Sequence, residues 1–170
     1  DGDALTWYRK SSKTIETGVV QYTVTCAKTK DLVTDNGDGI LTQSEISQYS
    51  NLVSITFDAN CGITEFGNNS ADGGLFHRTS SDSSRLYLLF VDIPDSVTKL
   101  SDHCFRNAVR LLNVGMSENS KITDFGKASF YACLSMKSIY IPKGVTTLKT
   151  DYALGDDKYW RTGLFRNCQK

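Results

Sequence analysis

Proline is almost missing from this chain: its 170 residues hold two, Pro94 and Pro142. Histidine is as scarce, with His77 and His103 alone. Neither sign of charge is in excess, since 19 basic residues face 19 acidic ones. With no basic stripe, nucleic acid and anionic membrane are excluded as expected partners. Long apolar runs are absent too. The longest, Leu86 to Val91 ("LYLLFV"), fits a buried strand and is far too short to span a bilayer. The five cysteines, Cys26, Cys61, Cys104, Cys133 and Cys168, are odd in number and form no CxxC pair. That excludes a zinc knuckle, a thioredoxin-type site and a dense disulfide framework. No signal peptide is visible. The opening "DGDALTWYRK" reads as a mature or trimmed start, so its absence does not argue for the cytoplasm.

Catalytic motifs are also missing. There is no G-x-S-x-G elbow, no phosphate-binding glycine loop and no H-E-x-x-H. His103 adjoins Cys104, but neighbouring side chains diverge, so the pair reads as a core cysteine beside an exposed histidine. His77 lies in a serine-rich insertion without a partner in sequence. Asp151, Asp156 and Asp157 read as solvated turns, because a glycosidase needs two carboxylates facing across a cleft. The expectation is that the chain is not an enzyme. Asn68 to Ser70 is a formal glycosylation sequon, meaningful only in a eukaryotic secretory setting.

What is present is repetition. A first phrase, L-x-x-I-x-I, occurs at Leu52-Ile55-Phe57, Leu88-Val91-Ile93, Leu111-Val114-Met116 and Met136-Ile139-Ile141. The last three copies are spaced by 23 and 25 residues. A second phrase follows each: Ile63/Phe66, Val97/Leu100, Ile122/Phe125 and Val145/Leu148. A third, F-x-N/A-C/A, closes the unit at Phe105–Ala108, Phe130–Cys133 and Phe165–Cys168, with Leu75-Phe76 holding the place in the first unit. Three phrases in fixed order mark a stack of coils. The first phrase predicts a short strand sending alternate side chains inward, about four strands forming one parallel sheet. Proline after the strand cannot donate to a ladder and turns the chain. The position shared by Ala108, Cys133 and Cys168 asks for a small buried group, so these cysteines, with Cys104, read as reduced and buried.

The repeat region, roughly residues 50 to 170, resembles the leucine-rich repeats of bacterial surface protein A type (BspA-like). The resemblance implies an α/β, β-dominated fold: a right-handed solenoid with a concave parallel sheet. It also implies a secreted or cell-surface protein of a host-associated bacterium, used for adhesion. The insertions around residues 68–84 and 154–163 depart from the pattern, and ending on "FRNCQK" reads as a piece of a longer array.

Residues 1–50 fall outside the repeat and read as an N-terminal cap segment, with 51–170 as the array. "TGVVQYTVTC" alternates as a strand does, and "SEISQYSNLVSI" reads as a short helix. Between them "TDNGDGILTQSEI" is EF-hand-like, with Asn36, Asp38, Ile40 and Glu45 at ligand offsets and Thr42 at the ninth position. Thr34 stands where the first carboxylate belongs, so the loop reads as a structural turn with at most weak calcium affinity and no cofactor.

Positions 3 and 5 of the first phrase face away from the stack: Ser54 and Thr56, Phe90 and Asp92, Asn113 and Gly115, Ser138 and Tyr140. Phe90 and Tyr140 are the bulky members of that array, with Asp92, Asn113 and Ser138 as polar neighbours. This set predicts a binding face for a host or bacterial surface protein or glycan. The alternative is a spacer within a larger surface protein, which has no need of exposed aromatics.

Overall fold

A computed structural model describes residues 4–16, 19–29, 40–42, 52–57, 61–67, 74–77, 88–148, 163–165, 167 and 168. Residues 4–29 and Leu52 are described by their backbone only. Every regular element among these residues is a strand: β1 (Ala4–Glu16), β2 (Val19–Thr29), β3 (Ile40–Leu41), β4 (Leu52–Phe57), β5 (Glu65–Phe66), β6 (Phe90–Asp92), β7 (Lys99–Leu100) and β8 (Asn113–Gly115). The second half of the expected helix, from Leu52 on, is strand β4. Its first half lies outside the described residues.

The first phrase of each coil builds a five-stranded sheet in the order β1-β2-β4-β6-β8. The pairs β2–β4, β4–β6 and β6–β8 are parallel, and β1 joins β2 antiparallel. Ile55, Val91 and Val114 stand opposite one another in register, all buried. A one-residue slip would expose that row, so burial fixes the register. The second phrase builds a parallel sheet β3-β5-β7, extended by a bridge from Lys99 to Asp124. Segments outside the repeat phrases, β2 and β3, thus supply a rung to each sheet.

Proline's place is the corner between the two sheets. Val97 N–H donates to Pro94 O, and Val145 N–H to Pro142 O, each at 3.0 Å. Coil 3 makes the same turn without proline, from Ser120 N–H to Ser117 O at 3.1 Å. Proline is used only as an acceptor there, where its missing N–H costs nothing.

The third phrase is a run of tight turns, and its N–H groups alternate in direction. Cys104, Arg106 and Ala108 donate within their own coil, to Ser101, His103 and Phe105. His103, Phe105 and Asn107 donate across to Lys127, Ser129 and Tyr131 of the next coil, at 2.8–2.9 Å. Residues at matching places take left-handed backbone: His103 and Ala128, then Asn107, Ala132 and Asn167.

Inside, phenylalanines stack coil upon coil. Phe76–Phe105, Phe105–Phe130 and Phe130–Phe165 have ring centroids 5.2, 5.3 and 5.5 Å apart and nearly parallel planes. Such pairs add about 0.5–1.5 kcal/mol each beyond their buried area. The Leu75-Phe76 assignment therefore holds, since Phe76 is the first ring of the column.

Two expectations need correction. The first sheet stops at β8: residues 136–141 pack on the core through Met136 and Ile139 but form no strand. Ile141 and Leu148 of coil 4 are 42% and 44% exposed, whereas Ile93, Leu100 and Phe125 at matching places are buried. Among the described residues coil 4 has a neighbouring coil on one side only, so the packing that pins a strand in register is halved. Second, Cys168 is half-buried, while Cys104 and Cys133 are buried as expected.

Candidate binding face

The outward face of the first sheet carries Phe90, Asp92 and Asn113, and coil 4 beside it carries Ser138 and Tyr140. Phe90 is 43% exposed and Tyr140 45%, and Asp92, Asn113 and Ser138 are exposed. Ser54, Phe90 and Asn113 form one cross-strand row, because Ser54 pairs with Phe90 and Phe90 with Asn113. Asp92 pairs with Gly115 in the row beside it. The Asp92 side chain lies over Gly115 where a Cβ would otherwise sit, so this glycine makes room for the carboxylate. Ser138 and Tyr140 lie at the matching places of coil 4, beyond the last paired strand.

Sequence alternation missed one residue. Leu112 is 40% exposed although its neighbour Leu111 is buried. Its N–H donates to Leu89 O at 2.9 Å, which sets it at the corner beside the Phe90–Asn113 pair. The signal was there: position 2 of the phrase, before the alternation begins, holds Val53, Leu89, Leu112 and Lys137.

The second sheet's outer side has a different character. Thr64, Thr98, Thr123 and Thr146 occupy one column and all are exposed. The Thr98 hydroxyl donates to Thr64 O and the Thr123 hydroxyl to Thr98 O, at 3.2 and 3.3 Å. Beside them Lys99 Nζ meets Glu65 Oε1 at 2.8 Å. That hydrogen bond raises the Lys99 pKa; partial desolvation opposes it, and the Glu65, Asp124 and Asp102 charges add to the rise. The charges on this side satisfy one another.

The Cys104, Cys133 and Cys168 thiols are not activated for chemistry. Burial pushes Cys104 and Cys133 well above the ordinary thiol range, and raises half-buried Cys168 in the same direction. Cys133 and Cys168 point their thiols at carbonyls of the preceding coil, Phe105 O and Phe130 O, each at 3.2 Å. His103 is half-buried, not exposed. Its left-handed turn brings its ring within 6.4 Å of buried His77. Among the described residues no group of three or more His, Cys, Asp or Glu could hold a metal. Of the calcium-type residues Ile40 and Thr42 are described, Ile40 in β3 paired with Glu65; Asn36, Asp38 and Glu45 lie outside the described residues. No helix among the described residues is long and apolar enough to cross a membrane.

Stacked coils with parallel sheets, turn-rich backs and a phenylalanine column define a leucine-rich-repeat type of fold. Residues 83–156 match the family model described as BspA type Leucine rich repeat region, 6 copies. The chain carries a repeat region of that type over these residues, as its phrases implied, and such a region suggests a protein-binding repeat module. No curated protein and no solved structure matches the chain.

Proposed function

We propose that the chain is an adhesive binding module of an extracellular or cell-surface protein, recognising a host or bacterial surface protein or glycan through the first sheet's outward face. The observation that carries this reading is the exposure of Phe90 and Tyr140, with Leu112 beside the Phe90 row, on a face whose other outward positions are small or polar. Aromatic anchors within a polar surround are the usual composition of binding hot spots. A stacked array holds them on a rigid surface, which lowers the entropic cost of association. The repeats wind as a right-handed solenoid with this face concave, residues 1–50 cap it, and the segment carrying Asn36, Asp38 and Glu45 has at most weak calcium affinity.

Changing Phe90 and Tyr140 together to alanine is expected to weaken attachment to immobilised mucin or matrix protein by about 2 kcal/mol or more. The folded double variant attaching as well as the parent chain would move the site elsewhere and favour the spacer reading.

A further inference from the structure

We infer that the ligand of this face is a neutral glycan chain, laid along the stack and stacked on Phe90 and Tyr140. The inference rests on the reading of the face given above and names the chemistry that the face accepts.

The two rings do not form one apolar patch. Phe90 belongs to coil 2 and Tyr140 to coil 4, so two strand spacings, roughly 10 Å, separate them along the stack. Between them lie Asn113, Gly115 and Ser138, small or hydrogen-bonding. A protein partner is held best by aromatic anchors clustered at the centre of a desolvated patch. Here they stand apart on a polar floor, widened on one side by Leu112. A pyranose ring has the matching character: an apolar C–H face that lies on an aromatic ring, and equatorial hydroxyls that reach sideways. Two platforms separated by two rungs suit alternate rings of an extended chain. Asp92 and Asn113 stand next to the Phe90 platform, where carboxylate and amide oxygens accept from sugar hydroxyls and the amide nitrogen donates.

Charge selects among glycans. Asp92 is the one charged side chain at the outward positions of the four strand phrases. A carboxylate beside the platform opposes sulfated, uronic and sialylated sugars through like-charge repulsion. Lys137, exposed at the corner place that Leu112 holds in coil 3, stands at the Tyr140 end of the face, two coils from Asp92.

The test is calorimetric titration of the 170-residue chain with neutral hexasaccharides (β-1,4-glucan, chitin and mannan type), with hyaluronan and heparin fragments as anionic probes. Binding to at least one neutral hexasaccharide is expected, weakened about five- to ten-fold by Phe90→Ala or Tyr140→Ala. Asp92→Asn is expected to narrow the preference for neutral over anionic probes. Melting curves show that each variant is folded. Preference for anionic probes, or equal binding by the folded alanine variants, would overturn the inference. So would no binding to any neutral probe. If no glycan binds but the double variant still loses attachment to a deglycosylated matrix protein, the glycan class is wrong and the binding face stands. If the double variant keeps that attachment as well, the face itself is wrong.

Discussion

At the scale of single residues, the third phrase shows how the backbone chooses its side chains. The place held by Asn107, Ala132 and Asn167 is left-handed in coils 2, 3 and 4. Asparagine tolerates that conformation far better than alanine, which meets a cost of about 1–2 kcal/mol. Ala132→Asn is therefore expected to stabilise the protein by about 0.5–1 kcal/mol, seen as a rise of a few degrees in Tm. The cysteines give a second prediction. A folded-state thiol pKa raised by burial means that the unfolded chain loses its proton first, above about pH 8.5. The unfolded state then binds fewer protons, so stability falls as pH rises, by at most about 1.4 kcal/mol per pH unit per thiol. Below pH 8 these groups leave stability flat. Denaturant midpoints between pH 7 and 10 measure this, and Cys133→Ala should flatten the slope. A thiol reagent should label half-buried Cys168 well before Cys104 or Cys133.

At the scale of elements, coils 1 and 2 are each two strand rungs and a turn-rich back, coil 3 has one strand and a bridge, and the joints are the demanding places. Gly126 leads from the second sheet into the third phrase of coil 3 with φ +66°. A Cβ there would overlap the Ser101 carbonyl of the coil before. Its N–H also donates to Asp124 Oδ1 at 2.8 Å, which sets the turn. Gly126→Ala combines backbone strain with an overlap that neither rigid partner can relieve. The expected loss is about 2–4 kcal/mol, measured by chemical denaturation. The same joint explains the two prolines. Pro94 and Pro142 open turns that Ser117 opens equally well, so proline is an option at this corner and not a condition. Asp95 and Ser117, at the corners of coils 2 and 3, are joined by a hydrogen bond from Ser117 Oγ to Asp95 Oδ1 at 2.6 Å.

At the scale of the whole molecule, core and proposed binding face are separable, because strand alternation sends them to opposite sides of one sheet. Phe105 sits mid-column, fully buried and stacked on both Phe76 and Phe130. Phe105→Ala should cost about 3–5 kcal/mol. The Phe90→Ala, Tyr140→Ala double variant should shift stability by about 0.5 kcal/mol or less per site, since neither ring supports the stack. Comparing the two melts tests the orientation of the strands without reference to any ligand. Repeat periodicity by itself determined much of this: the coil order, the inward rows, the buried phenylalanines, and Phe90 and Tyr140 on the open side. Those follow from spacing, because a side chain's direction in a strand depends on its parity alone. Tertiary structure decided the rest. It brought β2 and β3 into the two sheets although neither carries a phrase, because backbone pairing needs no repeated side chains. It left coil 4 outside the first sheet, turned His103 inward towards His77, and opened Leu112 to the binding face. Each of these depends on which neighbour stands across the stack, 23 or more residues away, and sequence spacing within one coil carries no information about that neighbour.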